Sequence, residues 1–459
     1  MGAPQPTASR QAPRGGPENS GAALRFLETL RGLLVLLALL GCVVRSPAAE
    51  PASVALPAVA LTADELALVV NDADPYSVEV GAYYAQRRGI PAERVLHVRL
   101  PADRSAITAA EFAPIQAQLD ARMPATVQAY ALAWARPYRV DCMSITSAVA
   151  FGFDKSHCAD SCQLTARSPY YDSDSRAPFT DHHLRPAMLL AAADVAGAKA
   201  LIDRGVRSDE RWPAGEGVLL STGDKLRNVR AASHAKVLSL LGAAYPLHEL
   251  KADRVTDRGE LMFYFTGLEW VAGLAHNRFA DGAMADHLTS AGGMLTDSPQ
   301  MSALAWIAAG ATGSYGAVTE PCNFRAKFPE PGIVMARYLG GESLVEAYWK
   351  SVLMPGQGVF VGDPLARPFG GVRINRSAAG TLFSTRALPP GDYLLEAGNS
   401  SVGPFRPVRT IRMIGFGVRL LPLPAGDDRW FRLRAIGPPS ASSAASAAAS
   451  AGSAASTGG

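Results

Sequence analysis

Short, wholly apolar runs alternate with longer amphipathic stretches through most of this chain. The first run, Leu66–Val70, has no polar position, which is typical of a strand buried on both faces. Asp74 is a favoured helix N-cap and a proline follows it, so the pattern predicts a helix from there to about Arg88, where a glycine can end it. Val95–Leu100 predicts the next strand. Strand, helix and strand in this spacing indicate a βαβ unit.

The same alternation continues and predicts an α/β domain over residues 62–370, with a mostly parallel sheet flanked by helices. The further predicted strands are Ala129–Ala135, Gly217–Ser221, Leu261–Phe265, Gly313–Val318 and Val359–Val361. The further predicted helices are Thr108–Arg122, Pro186–Arg204, Ala280–Ser290, Ser302–Ala309, Gly332–Leu339 and Ser343–Val352. Residues 136–185 form a long predicted loop with three cysteines, and loops of that length are usually functional or insertions.

The character of the chain changes near residue 371. Short alternating runs separated by turn residues predict a small all-β module over residues 371–437. Residues 438–459 are almost entirely Pro, Ser, Ala and Gly, a composition that cannot bury a core and predicts a disordered tail.

The first 49 residues have the features of a secretory signal. Arg25 and Arg31 precede the apolar stretch 32–44, which is too short to cross about 30 Å of hydrocarbon, and small residues follow it. An uncleaved membrane anchor is one alternative. Lipidation of Cys42, which ends a lipobox-like sequence, is another. We therefore expect an exported protein of the periplasm or cell envelope, with a possible lipid anchor and no membrane span after cleavage.

Removal of residues 1–49 changes the charge of the chain. That segment has a net charge of +3, equal to that of the whole chain, so the remainder is near neutral. Nucleic-acid binding needs clustered excess positive charge, and a neutral total does not predict such a partner.

Four cysteines remain after cleavage: Cys142, Cys158, Cys162 and Cys322. An even number in an exported protein favours disulfides. A metal site around Cys158, Cys162 and His157 is the alternative, but no second pair of Cys or His follows at a usual distance, and we predict no metal and no cofactor.

Polar residues follow each predicted strand, and ligands of parallel α/β sheets bind beyond the carboxyl ends of the strands. We therefore predict a cleft formed by Asp72, Thr266, Glu320 and Asp363, each from a different strand end. Gly267 would allow a ligand to approach the backbone closely.

Other polar residues also follow predicted strands. Asp74 follows the same strand as Asp72 and is counted among the ligand-binding candidates, although its position also predicts a helix cap, whereas Asp72 should face the cleft. Arg136, Tyr138 and Arg139 follow the strand Ala129–Ala135. The alternative at every strand end is a turn residue that bonds its own backbone.

Motifs for common catalytic sites are missing from the sequence. There is no Walker-type phosphate loop and no Gly-x-Ser-x-Gly nucleophile elbow. Cys322, just after a strand, is a candidate nucleophile if a histidine lies close to it, and His287 is the candidate base. Structural roles for both residues are the alternative.

Nine short motifs form a specific set within the predicted α/β domain. They are Asn71–Ser77, Tyr83–Tyr84, Arg88–Pro91, Cys142–Ser147, Phe263–Gly267, Ala285–Ser290, Gly310–Gly316, Glu320–Cys322 and Gly362–Pro364. In these motifs the chain resembles an uncharacterised exported family of bacteria that carry exosortase, a protein-sorting transpeptidase. The resemblance implies, by association, a role near envelope protein sorting or exopolysaccharide export.

A weaker resemblance is to gingipain-like and caspase-like cysteine peptidases. Gly310-Ala311 and Gly362–Pro364 match in order, and so does a β module after the peptidase-like part. The catalytic dyad is not matched, because Phe265–Gly267 stands where His-Gly would be and Leu295–Asp297 stands where the cysteine would be.

Three hypotheses follow for the function. The first is a divergent, peptidase-like envelope protein that binds a polypeptide or a glycan. The second is a cysteine-dependent hydrolase or transpeptidase that uses Cys322. The third is a structural component of the envelope.

Overall fold

The computed structural model describes residues 52–57, 60–159 and 162–436. The predicted signal segment, the lipidation site at Cys42 and the predicted tail at 438–459 lie outside these residues.

Seven strands and five α-helices of the described α/β part occupy segments that the sequence predicts individually. The strands are β1 (Ser53–Ala55), β2 (Leu66–Asn71), β3 (Val95–Val98), β4 (Ala106–Ile107), β5 (Ala129–Leu132), β6 (Arg139–Val140), β7 (Met143–Ser144), β8 (Ala187–Leu189), β9 (Glu216–Ser221), β10 (Leu247–Lys251), β11 (Leu261–Thr266), β12 (Phe279–His287), β13 (Gly313–Ala317), β14 (Gly358–Gly362), β15 (Val372–Ser377), β16 (Gly380–Thr385), β17 (Gly391–Gly398), β18 (Arg406–Met413), β19 (Arg419–Pro422) and β20 (Trp430–Ala435). The α-helices are α1 (Pro75–Arg88), α2 (Ala109–Arg122), α3 (Ile145–Phe151), α4 (Pro178–His182), α5 (Val195–Ser208), α6 (His234–Leu241), α7 (Leu304–Ala309), α8 (Pro331–Leu339) and α9 (Leu344–Lys350).

Among the described residues, ten strands form one large sheet in the order β10-β9-β11-β12-β13-β14-β8-β5-β2-β3. Its pairings are parallel except for β13 with β14, where Gly316 lies opposite Val359 on an antiparallel neighbour. The sheet is therefore mostly parallel, as predicted, but it has two halves whose strands run in opposite directions. The carboxyl ends of the strands consequently lie on both edges of the sheet, where an edge is the border that the strand ends form and not an outermost strand.

The start of the domain shows why the local patterns predict it well. Every residue of β2 is buried, as its apolar run requires. The Asp74 carboxylate accepts a hydrogen bond from the backbone N–H of Tyr76 at the N-terminus of α1, and Gly89 ends the helix with a φ of 63°. The predicted cap at Asp74 is confirmed.

Two helix predictions are wrong. The segment predicted as a helix at 280–290 is mostly the buried strand β12, in which Asp286 is paired with Arg230 from a distant segment. The helix predicted at 186–204 is a strand, β8, followed by α5, which begins where Asp194 accepts a hydrogen bond from the N–H of Gly197. The loop 136–185 also holds short strands and helices, and β10 was not predicted.

The predicted β module is present as two small sheets, in the orders β15-β16-β19 and β1-β20-β17-β18. Phe383, Leu395 and Phe431 belong to its own apolar core. The short strand β1, from the N-terminal side of the α/β part, pairs with β20 and was not predicted. Across the described residues, no helix has the length and apolar character needed to cross a bilayer.

Candidate functional site

The four residues of the predicted cleft do not converge on one edge of the sheet. Asp72 and Asp363 follow β2 and β14, whereas Thr266 ends β11 and Glu320 follows β13. Because β13 and β14 are antiparallel, these two pairs of strands run in opposite directions. The prediction of a four-residue cleft is wrong, since the antiparallel step between β13 and β14 places two members on each edge.

On the edge that contains Asp72 and Asp363, Asp363 is buried and binds side chains of α1. Its carboxylate accepts hydrogen bonds from the Tyr84 hydroxyl at 3.0 Å and from Arg88 Nε at 2.9 Å. Asp72 is exposed and lies 2.6 Å from Nδ1 of His97. Asp74 is occupied by its helix cap, and partial burial raises the pKa of its carboxyl group. None of these contacts leaves a buried carboxylate open to a ligand.

On the opposite edge, Thr266 and Gly267 are enclosed by the segment that follows β9. The carbonyl of Thr266 accepts a hydrogen bond from Arg230 at 2.5 Å. A Cβ added to Gly267 would lie 1.9 Å from the carbonyl oxygen of Arg227. Gly267 therefore allows a close approach to its backbone, but the approaching group is the protein's own chain and not the predicted ligand.

Cys322 is paired with Cys162, and Cys142 with Cys158, so the prediction of disulfides is confirmed. Glu320 accepts a hydrogen bond from the N–H of Cys322 at 2.7 Å and thereby supports the turn around this disulfide. A sulfur in a disulfide is not a nucleophile until it is reduced. In the described structure Cys322 is thus a structural residue.

His287 is fully buried, and both nitrogens of its ring are engaged. Nδ1 accepts a hydrogen bond from the indole N–H of Trp306 at 2.9 Å, and Nε2 lies 3.0 Å from the carbonyl oxygen of Met301. Burial lowers the pKa of this imidazole to about 3. No ring nitrogen is left to activate a thiol. The geometry argues against Cys322 and His287 as a nucleophile and its base.

A cavity of about 420 Å³ lies elsewhere, beside the short sheet β4-β6-β7. Its volume is in the range of about 300–1,000 Å³ that is usual for small-ligand sites. We call it the arginine cavity. It is lined by Arg104, Ala106, Ile107, Thr108, Arg139, Asp141, Cys142 and Thr319.

The two arginines of the cavity differ in their partners. Arg104 is exposed and donates to Glu111 at 2.6 Å. Arg139 is partly buried, and its Nε is out of contact with solvent and has no hydrogen-bond partner among the described residues. A guanidinium holds its charge at any ordinary pH and presents a planar fork of donors suited to a carboxylate or a phosphate. The cavity therefore contains a guanidinium whose Nε donor has no hydrogen-bond partner among the described residues.

Local structure fixes the walls of the arginine cavity. Strands β4 and β6 are parallel neighbours, with Ala106 opposite Arg139. Asp141 accepts a hydrogen bond from the N–H of Ala109 at the start of α2. Thr319 donates to the carbonyl oxygen of Cys142 at 3.1 Å, and the disulfide to Cys158 holds the same residue. The cavity is thus built from three distant segments that hydrogen bonds and a disulfide tie together.

The lining residues suit binding better than catalysis. The Cys142 sulfur is bonded in a disulfide and is not a free nucleophile, and one oxygen of the Asp141 carboxylate accepts a hydrogen bond from a backbone N–H. Among the described residues, no group of three or more His, Cys, Asp and Glu side chains is arranged to hold a metal ion. The available chemistry is recognition of an anionic group by arginine and hydroxyl donors.

The sequence contained a signal for Arg139 but not for the cavity. Arg139 follows a predicted strand, which is where ligands are expected in α/β sheets. Arg104, by contrast, carries no such signal. The cavity depends on the pairing of β4 with β6 and on the disulfide at Cys142, which join segments that no local pattern connects.

Comparison of the chain with models of protein families, with curated proteins and with solved structures found no match. The resemblances drawn from the sequence motifs therefore stay predictions.

Proposed function

We propose that this chain is a non-catalytic, peptidase-like protein of the cell envelope that binds an anionic group of a polypeptide or a glycan in the arginine cavity. The observation that carries the proposal is the Nε of Arg139, which is buried and has no hydrogen-bond partner among the described residues, in the wall of a cavity of about 420 Å³. A buried donor without a partner is unfavourable, and an anionic ligand that accepts hydrogen bonds from this guanidinium would satisfy it. Association with protein sorting or exopolysaccharide export belongs to the same proposal and rests on the motif resemblance.

The strand ends support a non-catalytic protein. Strand β11 ends with Thr266 and is followed by Gly267, where the peptidases that the chain resembles have His-Gly. Strand β12 ends at His287, so Leu288 and Thr289 follow it directly and no cysteine stands there. The sequence comparison placed Leu295–Asp297 at the position of the peptidase cysteine, but β12 ends eight residues earlier, at His287. The catalytic dyad is missing whether the cysteine position is taken as Leu295–Asp297 or as Leu288 and Thr289.

The contacts favour this proposal over a cysteine-dependent enzyme, because Cys322 is in a disulfide and His287 has no free nitrogen. They also favour it over a purely structural envelope component, because a structural role does not account for an open cavity lined by an arginine whose Nε has no partner among the described residues.

Binding of anionic probes by the purified protein tests the proposal. The probes are a short peptide with a free C-terminal carboxylate, its C-terminal amide, a short oligouronate and inorganic phosphate, each titrated by isothermal calorimetry. We expect at least one anionic probe to bind and the peptide amide to bind more weakly than the acid. We expect Arg139→Gln to weaken that binding by roughly tenfold or more, since it removes a charge-assisted hydrogen bond.

The exposed Arg122, at the other end of α2 from the cavity, provides the matched control. Arg122→Gln removes the same charge and should leave the affinity unchanged, whereas Arg139→Lys keeps the charge but loses the planar fork and should give an intermediate affinity. Equal losses in Arg139→Gln and Arg122→Gln would show a nonspecific charge effect and end the proposal. Failure of every anionic probe to bind would end it as well.

A further inference from the structure

The β module carries a strong positive charge that the near-neutral total conceals. Residues 371–436 contain ten arginines, no lysine and four acidic residues, a net charge of +6. Residues 50–370 contain 29 basic and 35 acidic residues, a net charge of −6. The two parts of the chain thus have opposite charge, and the excess of arginine lies entirely in the module that follows the α/β part. Such clustering is the electrostatic signature of an anionic partner.

Ion pairs within the module neutralise only part of this positive charge. Asp392 binds Arg412 at 3.0 Å, and Glu396 binds Arg432 at 2.7 Å. Arg409 donates instead to the carbonyl oxygen of Pro422, at 2.7 Å. A carbonyl group carries no net charge, so this bond orients the guanidinium without neutralising it.

Arg419 is held in a similar way. It donates to the carbonyl oxygens of Ile414 and Gly415 in the turn that precedes it. Its charge is likewise not neutralised by these bonds. Arg409 and Arg419 lie on β18 and β19, the two strands joined by this turn.

The segment that contains these two arginines exposes apolar side chains. We call residues 406–422, which comprise β18, the turn and β19, the apolar segment. Ile414 is 77% exposed, Leu420 is 65% exposed and Val418 is 46% exposed. Phe416, between them in the turn, packs against the large core of the α/β part. Phe416 thus fixes the turn to the body of the protein while its apolar neighbours face outward.

The apolar segment also supplies an edge strand to each of the two small sheets. Strand β18 is the last strand of one sheet and β19 is the last strand of the other. Exposed edges with apolar side chains promote association, and arginines on the edge of a module with a charge of +6 oppose pairing with a second copy. The arrangement fits a partner that accepts apolar side chains and supplies negative charge.

We propose that the apolar segment docks on the surface of a bilayer that contains anionic phospholipids. Ile414, Val418 and Leu420 enter the boundary between headgroups and acyl chains, and Arg409 and Arg419 contact the phosphates. A bilayer supplies both the apolar and the anionic component, whereas an acidic polysaccharide supplies only the charge. This inference concerns a surface other than the arginine cavity and does not depend on the proposed function.

Hydrogen exchange with vesicles tests this surface locally in the complete protein. Vesicles of phosphatidylcholine with phosphatidylglycerol are compared with vesicles of phosphatidylcholine alone, and protection is read on the amides of residues 414–420. We expect slower exchange there only with the anionic vesicles, and we expect added salt to weaken it, since screening reduces surface attraction. Because the readout is local, contacts of other segments with the lipid are recorded separately from those of residues 414–420.

Variants separate the apolar and the charged contributions. We expect the double variant Ile414→Ser, Val418→Ser to raise the lipid concentration needed for half-maximal protection by roughly tenfold, and Arg409→Gln to raise it by a smaller factor. Val402, which is 91% exposed in another turn of the module, gives the control, and Val402→Ser should have no effect.

Three results would overturn the inference. The first is equal protection by neutral vesicles, which would mean that the negative charge is not recognised. The second is protection by a soluble alginate in place of the vesicles, which would identify a polysaccharide surface. The third is unchanged exchange in residues 414–420 under all conditions.

Discussion

Arg88, in the last turn of α1, and Asp363, directly after β14, form a buried ion pair. The Nε of Arg88 lies 2.9 Å from Oδ2 of Asp363, and the side chains are 7% and 0% exposed. Arg88 also pairs with Asp209 after α5, and Tyr84 donates to the same carboxylate of Asp363. This cluster joins the first helix of the domain to the end of its last large-sheet strand. It explains the polar residues at both places without a ligand.

Removal of the Arg88 charge should therefore destabilise the fold strongly. Arg88→Met leaves Asp363 buried without its cation, and we expect a loss of about 3–5 kcal/mol in the free energy of unfolding. The neighbouring Arg87 pairs with Asp203 at the surface, and Arg87→Met should cost about 1 kcal/mol or less. Urea denaturation followed by circular dichroism measures both. Similar losses in the two variants would contradict the structural role of the buried pair.

The two disulfides should stabilise the fold to different extents. Cys162 and Cys322 are 160 residues apart, and Cys142 and Cys158 are 16 apart. In the chain-entropy description the longer loop gives the larger effect, about 5 kcal/mol against about 3 kcal/mol. We expect Cys322→Ser to lower the denaturation midpoint more than Cys158→Ser does. Alkylation without reductant should label none of the four thiols in protein from the envelope, and labelling of Cys322 would reopen its role as a nucleophile.

Buried histidines should make the fold sensitive to mild acid. Burial lowers the pKa of His234 to about 4 and that of His287 to about 3. Below the usual value of about 6.5, the unfolded chain binds protons that the folded chain excludes. The free energy of unfolding should therefore fall as pH decreases from about 6.5 towards about 4, with each histidine contributing roughly 1.4 kcal/mol per pH unit. Stability curves at intervals between pH 7.5 and pH 5 measure this slope.

The contribution of one histidine can be isolated by substitution. His234→Gln should reduce the slope by roughly 1.4 kcal/mol per pH unit, because glutamine does not titrate. His276 is exposed, and His276→Gln should leave the slope unchanged. An undiminished slope in His234→Gln would show that other groups cause the acid sensitivity.

Local sequence patterns predicted the elements whose determinants are local. β2 is a continuous apolar run, and α1 begins at its own cap, Asp74. Strand β12 was missed because Asp286 and His287 look like residues of a helix surface. Their burial depends on Arg230 and Trp306, which lie far along the chain and are invisible to a local pattern.

The direction of β14 could not be predicted from the sequence, and this error had the largest effect on the predicted site. The segment between β13 and β14 contains α8 and α9, and a pattern of apolar residues does not show whether they return the chain to the same edge of the sheet. The antiparallel pairing of Gly316 with Val359 separates Asp72 and Asp363 from Thr266 and Glu320. The sequence pattern placed Arg139 after a predicted strand, but only the tertiary structure shows that its Nε is buried without a partner among the described residues.

A substitution at Gly267 tests whether this glycine faces a ligand or packs against the backbone of Arg227. Its missing Cβ would lie 1.9 Å from the carbonyl oxygen of Arg227, and its own carbonyl accepts a hydrogen bond from Thr222 at 2.8 Å. Gly267→Ala should force these segments apart and cost about 1–3 kcal/mol in the free energy of unfolding. A Cβ at Gly391 would meet its nearest atom at 3.6 Å, so Gly391→Ala should change stability by less than about 1 kcal/mol. If Gly267→Ala melts like the unmodified protein, the close packing against Arg227 is absent in solution and this strand end is open.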